Sequence, residues 1–147
     1  MRTIAYLLFF TLLPVPIWAD TAADAIGHIQ TLQGQALILR AGTTLPATTG
    51  AELRKNDLVR TGKPAAVGIV LTDDTTISLG SNSELSLDDY NFDPKQGKFA
   101  LALRMVKGTF SYITGQIVKL APDAAKVQTP DATIAVRGTK LLVEIKD

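Results

Sequence analysis

The side chains that do chemistry are scarce in this sequence. There is no Cys and a single His, His28, among 147 residues. Without a thiol there is no disulfide, no thiolate nucleophile, no Cys-ligated zinc and no iron–sulfur cluster. One imidazole excludes a multi-His metal site within one chain. His28 with Ser78 or Ser81 and any Asp supplies the residue types of a hydrolytic triad, but no G-x-S-x-G elbow presents the serine. Asp89-Tyr90-Asn91-Phe92-Asp93 alternates oxygen donors as a calcium loop does. Pro94 stands where that loop needs a turn glycine, and Ala100 where it needs a bidentate acid, so the segment is expected to be a solvated excursion with Tyr90 and Phe92 tucked against the core. Val136-Arg137-Gly138-Thr139 offers an anion hook beside a permissive glycine. The preferred reading there is structural: Gly138 turns the chain between two strands, while Arg137 and Thr139 satisfy nearby backbone or carboxylate groups. Arg54, Lys55, Arg60 and Lys63 form a basic step that Glu52 and Asp57 partly neutralise, which describes a solvated face. No catalytic residue, cofactor or metal is expected.

The elements that must carry these residues fit within one domain, given the length. With 15 Lys and Arg against 14 Asp and Glu, the charge is +1, which gives no electrostatic footprint for nucleic acid. Residues 1–19 read as a secretory signal peptide: Arg2, an apolar run from Ile4 to Leu13, Pro14 and Pro16 as breakers, and cleavage after Ala19. The run falls short of the about 20 apolar residues of a membrane span, so no stable span is expected after cleavage. Removing Arg2 leaves basic and acidic residues in equal number, and Trp18 and Tyr6 leave with it. Residues 20–147 form the expected domain.

Within that domain, glycines punctuate segments of period two. Val67, Ile69 and Leu71 alternate with Gly68, Val70 and Thr72, and after Asp73-Asp74 the pattern resumes at Ile77 and Leu79, which predicts a hairpin with one buried face. Leu85 and Leu87 continue it; Phe99, Leu101, Leu103 and Met105 share a face, Gly108 is expected to turn the chain, and Phe110 and Tyr112 point inward. Ile134 and Val136, then Leu141, Val143 and Ile145, close the pattern. Only Ala22–Ile26 or Ala51–Asn56 offers a helical turn. Residues 35–42 and 109–115 are faint echoes, short strands entered and left near glycines. The expected fold is all-β, a single domain of many short strands arranged as a β-solenoid or a twisted sandwich, and periodicity leaves both open.

The order of motifs is more specific. Leu53 to Thr61 reads L-R-K-N-D-L-V-R-T, Leu71 to Leu79 reads L-T-D-D-T-T-I-S-L, Lys107-Gly108-Thr109-Phe110 follows, and residues 128–139 read Q-T-P-D-A-T-I-A-V-R-G-T. This resembles the FecR domain, the periplasmic part of the ferric-citrate regulator family, from about Ile26 to Ile145. On that resemblance the family motif falls on Asp57, Thr61, Asp73, Asp74, Gly108, Thr129, Pro130, Arg137, Gly138 and Thr139, expected to be structural. Asp74 and Asn56 stand where the family usually has Gly; both tolerate left-handed backbone better than other residues.

Sensor members of the family resemble a cytoplasmic anti-sigma segment, one membrane helix and a periplasmic domain. Here the domain follows the signal peptide directly, so no direct sigma-factor contact is expected. The resemblance implies a stand-alone exported protein of the periplasm, or secreted, in a Gram-negative-type bacterium. It implies a non-enzymatic protein-binding or signalling-accessory module whose partner is another envelope protein. The alternative, a structural or glycan-binding envelope protein, depends on Tyr90 and Tyr112 as exposed stacking platforms.

Overall fold

The period-two pattern becomes ten strands joined in one sheet. The computed structural model describes Pro14, residues 25–138 and residues 140–146, so the expected signal segment, apart from Pro14, and Thr139 lie outside the described residues. The strands are β1 (Ala25–Arg40), β2 (Thr43–Pro46), β3 (Glu52–Arg54), β4 (Leu58–Leu71), β5 (Thr76–Leu79), β6 (Glu84–Asp93), β7 (Lys98–Ile113), β8 (Ala125–Gln128), β9 (Thr133–Ala135) and β10 (Lys140–Ile145). One short helix, α1 (Gln116–Leu120), follows β7.

Three long strands alternate with short ones laid end to end. β2 and β3 pair with the outer edge of β1, and β1 pairs antiparallel with β4 along most of its length. β5 and β6 together fill the lane between β4 and β7. β8 and β10 share the far edge of β7, and β9 lies beside β8. The β7–β8 pair is parallel and the other described pairs are antiparallel.

Alternation then sets the core. Ile29 and Ile38 of β1, Val59, Val67, Ile69 and Leu71 of β4, Ile77 and Leu79 of β5, Leu85 and Leu87 of β6, and Leu101, Leu103, Met105 and Tyr112 of β7 belong to one buried cluster with Val127 of β8. A sheet whose inner faces all meet in one cluster has curled around itself, which gives this single all-β domain its barrel-like closure. The expected hairpin is present, with Val67 opposite Leu79 and Ile69 opposite Ile77. The departures from the short elements read in the sequence have local causes.

Gly108 does not turn the chain. It lies inside β7 with φ of 102°, where the strand kinks and continues for five residues. Ala51–Asn56 holds β3 and a turn instead of a helical turn, because Leu53 is drawn wholly into the core from extended backbone. Ala25 and Ile26 begin β1, and the rest of the 22–26 candidate lies outside the described residues. Residues 89–93 are no loop: they extend β6, paired with β7 from Asp89–Ala102 to Asp93–Lys98. The echo segments 35–42 and 109–115 begin in β1 and β7, which are separated by β4 and the β5/β6 lane, so they do not stack as neighbouring coils. No described helix is long and apolar enough to cross a membrane.

Candidate functional site

The motif residues divide by what their polar atoms do. Asp57, fully buried, accepts from Arg40 Nε at 2.9 Å and Arg40 Nη2 at 2.7 Å, and from the Arg54 amide at 2.8 Å. These bonds lock the end of β1 to the turn before β4, and they raise the Arg40 guanidinium above its ordinary pKa. The turn itself uses Asn56 at φ 70°, as its tolerance of left-handed backbone allows. Thr61 donates to the Gly80 carbonyl at 2.6 Å and accepts from the Ser83 amide at 2.9 Å, which binds β4 to the β5–β6 connection.

Asp73 is the most connected of them. Its carboxylate accepts from the Thr75 amide at 3.2 Å, Thr75 Oγ1 at 2.8 Å, the Tyr90 hydroxyl at 3.1 Å and the Ile117 amide at 3.0 Å. Its carbonyl accepts from the Gln116 amide at 2.7 Å. The start of α1 has Gly115 at its N-cap, which supplies no side-chain acceptor, so Asp73 satisfies the orphan helix amides from a distant hairpin. Gly115 is required there: a Cβ would lie 2.5 Å from the Asp73 carbonyl oxygen and closer to the Thr75 nitrogen. Asp74, at φ 69°, forms the exposed side of the same turn, and its Oδ2 accepts from Gln116 Nε2 at 3.2 Å.

The C-terminal part of the motif behaves differently. Thr129 closes a small turn, with its amide 2.8 Å from the Ala132 carbonyl, and Pro130 is exposed within it. Val136, Arg137 and Gly138 line a groove of about 450 Å³ against α1 and the 3₁₀ turn Pro122–Ala124. Val118, Pro122 and Val136 supply apolar surface, Lys119, Asp123 and Arg137 are its charged groups, and Thr114 closes one end by donating to the Gly138 carbonyl at 2.6 Å. Arg137 is exposed and makes no hydrogen bond or ion pair to a described residue, so the backbone and carboxylate partners expected for it are not seen. Gly138 has φ of 99° in open space. An apolar floor with a few charges at its rim suits recognition of a side chain or short segment.

No group of three or more His, Asp or Glu able to hold a metal occurs among the described residues. Two of the four residues of the basic step are ion-paired, though not with the expected Glu52 or Asp57: Arg60 meets Glu84 at 2.7 Å and Lys55 meets Asp89 at 3.0 Å. Neither tyrosine is a stacking platform. Tyr112 is fully buried, and the Tyr90 hydroxyl is held by Asp73 and, at 2.8 Å, by Thr72 Oγ1.

The Tyr112 hydroxyl is buried with no hydrogen-bond partner. Burial pushes it up to about 12 from 10.0, and burial raises Tyr90 as well. A raised folded-state value means that folding favours the neutral phenol, so this stability is complete below pH 10 and is lost as pH climbs from 10 to 12. Urea unfolding across that window should show falling stability, with a shallower fall in Tyr112→Phe. At neutral pH the same variant should be unchanged or about 1 kcal/mol more stable, because it removes an unsatisfied buried hydroxyl.

The curled all-β domain thus carries buried structural carboxylates and, beside α1, an open groove with charged groups at its rim. Residues 57–147, more than half of the chain, match the FecR protein family, and the chain belongs to that family. Membership suggests a signalling-related envelope protein, and the family is a regulatory one, generally not enzymatic. The search of curated proteins and the search of solved structures gave no match. Sequence reasoning had named Arg137 and Gly138 but missed α1, Lys119 and Asp123, whose proximity to them depends on the long-range capping by Asp73.

Proposed function

We propose that this chain is an exported, non-enzymatic module of the bacterial envelope that binds another envelope protein, with the groove beside α1 as the contact. The carrying observation is the split within the family motif. Asp57, Thr61 and Asp73 spend their polar atoms inside the fold, while Arg137 stands exposed at the rim of the groove beside α1. A solvated arginine contributes little to folding but, desolvated by a partner, is a frequent anchor of an interface. The signal-peptide pattern of residues 1–19 supports the periplasmic or secreted location.

The test is cross-linking capture in the periplasm with the wild-type chain and Arg137→Glu. The variant should keep its stability within about 0.5 kcal/mol, since it alters an exposed side chain, and should lose a protein that the wild type recovers reproducibly. Equal recovery by both forms, or no recovered protein at all, would overturn the reading.

A further inference from the structure

Strand β10 spends one edge on β7 and, among the described residues, has no strand on the other. The outermost lane holds β9 beside β8 but nothing beside β10. An open edge is a template for another strand. The residues along this one point to which strand it takes. Leu141, Val143 and Ile145 are half-buried against the core, whereas Lys140, Leu142 and Glu144 face outward. Leu142 is 70% exposed, more than Leu37, Ile113 or Leu120. Its cross-strand neighbour is Ser111, and it borders a shallow depression of about 330 Å³ that includes Gly80 and Ser78, so its own sheet leaves it uncovered. Lys140 and Glu144 make no ion pair among the described residues.

We propose that β10 is a self-association edge, paired antiparallel with β10 of a second copy of this chain about a two-fold axis at Leu142. A two-fold contact requires that if residue i meets j, then j meets i. With Leu142 opposite its own copy, Lys140 faces Glu144 of the second copy and Glu144 faces its Lys140, which brackets an apolar pair with two opposite-charge pairs. On the inner face Leu141 meets Val143, which continues the half-buried apolar row across the junction. Neighbouring registers lack this match. Moving the axis to Val143 sets Lys140 against Lys146 and Leu142 against Glu144; moving it to Leu141 sets Leu142 against Lys140 and Glu144 against Gly138. The run Lys-x-Leu-x-Glu therefore complements itself in one register. An edge of this length gives a small interface, with a dissociation constant on the order of micromolar.

This inference goes beyond the partner-binding reading and is tested apart from it. Sedimentation velocity over a range of protein concentrations should show a monomer–dimer equilibrium for the wild type. Lys140→Glu should weaken the dimer about tenfold or more, because the two-fold axis repeats the like-charge contact twice. The double variant Lys140→Glu with Glu144→Lys should restore it, since the pairs are reversed together. Both positions are exposed, so folding is not at issue. A wild type that stays monomeric, or a double variant no stronger than Lys140→Glu, overturns the proposal. Either outcome leaves the capture experiment with Arg137→Glu to be judged by itself.

Discussion

Gly108→Ala should lower stability by about 2–5 kcal/mol, the sum of roughly 1–3 for forced overpacking and 1–2 for left-handed backbone at a residue with a side chain. Gly108 sits at φ 102° inside β7, and a Cβ there would lie 2.5 Å from Ser83 Cα and nearer still to Ser83 Oγ. A hydroxyl can rotate away, but a Cα cannot move without the backbone. Ser83 is itself fixed, because its amide donates to Thr61 Oγ1 at 2.9 Å and its Oγ accepts from the Thr109 amide at 3.1 Å. Any relief would pull β4, β6 and β7 apart together. Gly97→Ala is the control: φ is 65°, but nothing lies within 4 Å of the added atom, so only about 1 kcal/mol of backbone strain is expected. Urea unfolding of both variants checks the difference.

Asp73→Asn should cost about 3 kcal/mol, which for a domain of this size is roughly 10 °C in melting temperature. Four donors converge on the two carboxylate oxygens. An amide offers one acceptor oxygen and turns an NH₂ donor toward the other side, which leaves donors facing a donor in a fully buried site. One of the losses falls where it matters for function. The Ile117 amide belongs to the first turn of α1, a helix of five residues that cannot nucleate by itself. Loosening it displaces Val118 and Lys119 from the groove. Capture of a partner should therefore weaken along with stability, whereas Asp74→Asn, exposed and already at a left-handed φ, should stay within about 0.5 kcal/mol. Thermal unfolding followed by circular dichroism separates the two.

Much of this architecture was legible where pattern alone decides it. Val67, Ile69 and Leu71 across from Leu79 and Ile77 identify their hairpin because one face must be buried and period two admits no other choice of face. Asn56 and Asp74 betray left-handed turns by their chemistry. The illegible parts depend on distant atoms. A glycine such as Gly108 reads as a turn until Ser83, brought from the β5–β6 connection, is seen to fill the space a side chain would need. Gln-Ile-Val-Lys-Leu carries no helical periodicity long enough to register, and its helix exists because Asp73 caps it across 44 positions of sequence. Tyr112 points inward, as its alternation with Phe110 predicts, and so cannot be the exposed platform that the glycan-binding alternative requires. For Arg137, the motif marks the residue but not its surroundings, and the structure supplies those as α1 and the Pro122–Ala124 turn.

On the proposed function one motif serves two ends: its buried residues build the scaffold and its exposed arginine serves recognition. Urea denaturation of Asp57→Ala, Asp73→Asn, Gly108→Ala and Arg137→Glu under one set of conditions tests it most directly. The first three should lose about 2–5 kcal/mol each through broken buried bonds or overpacking, and Arg137→Glu should match the wild type within about 0.5 kcal/mol. An Arg137→Glu variant destabilised as much as the other three would contradict the division and return Arg137 to the scaffold.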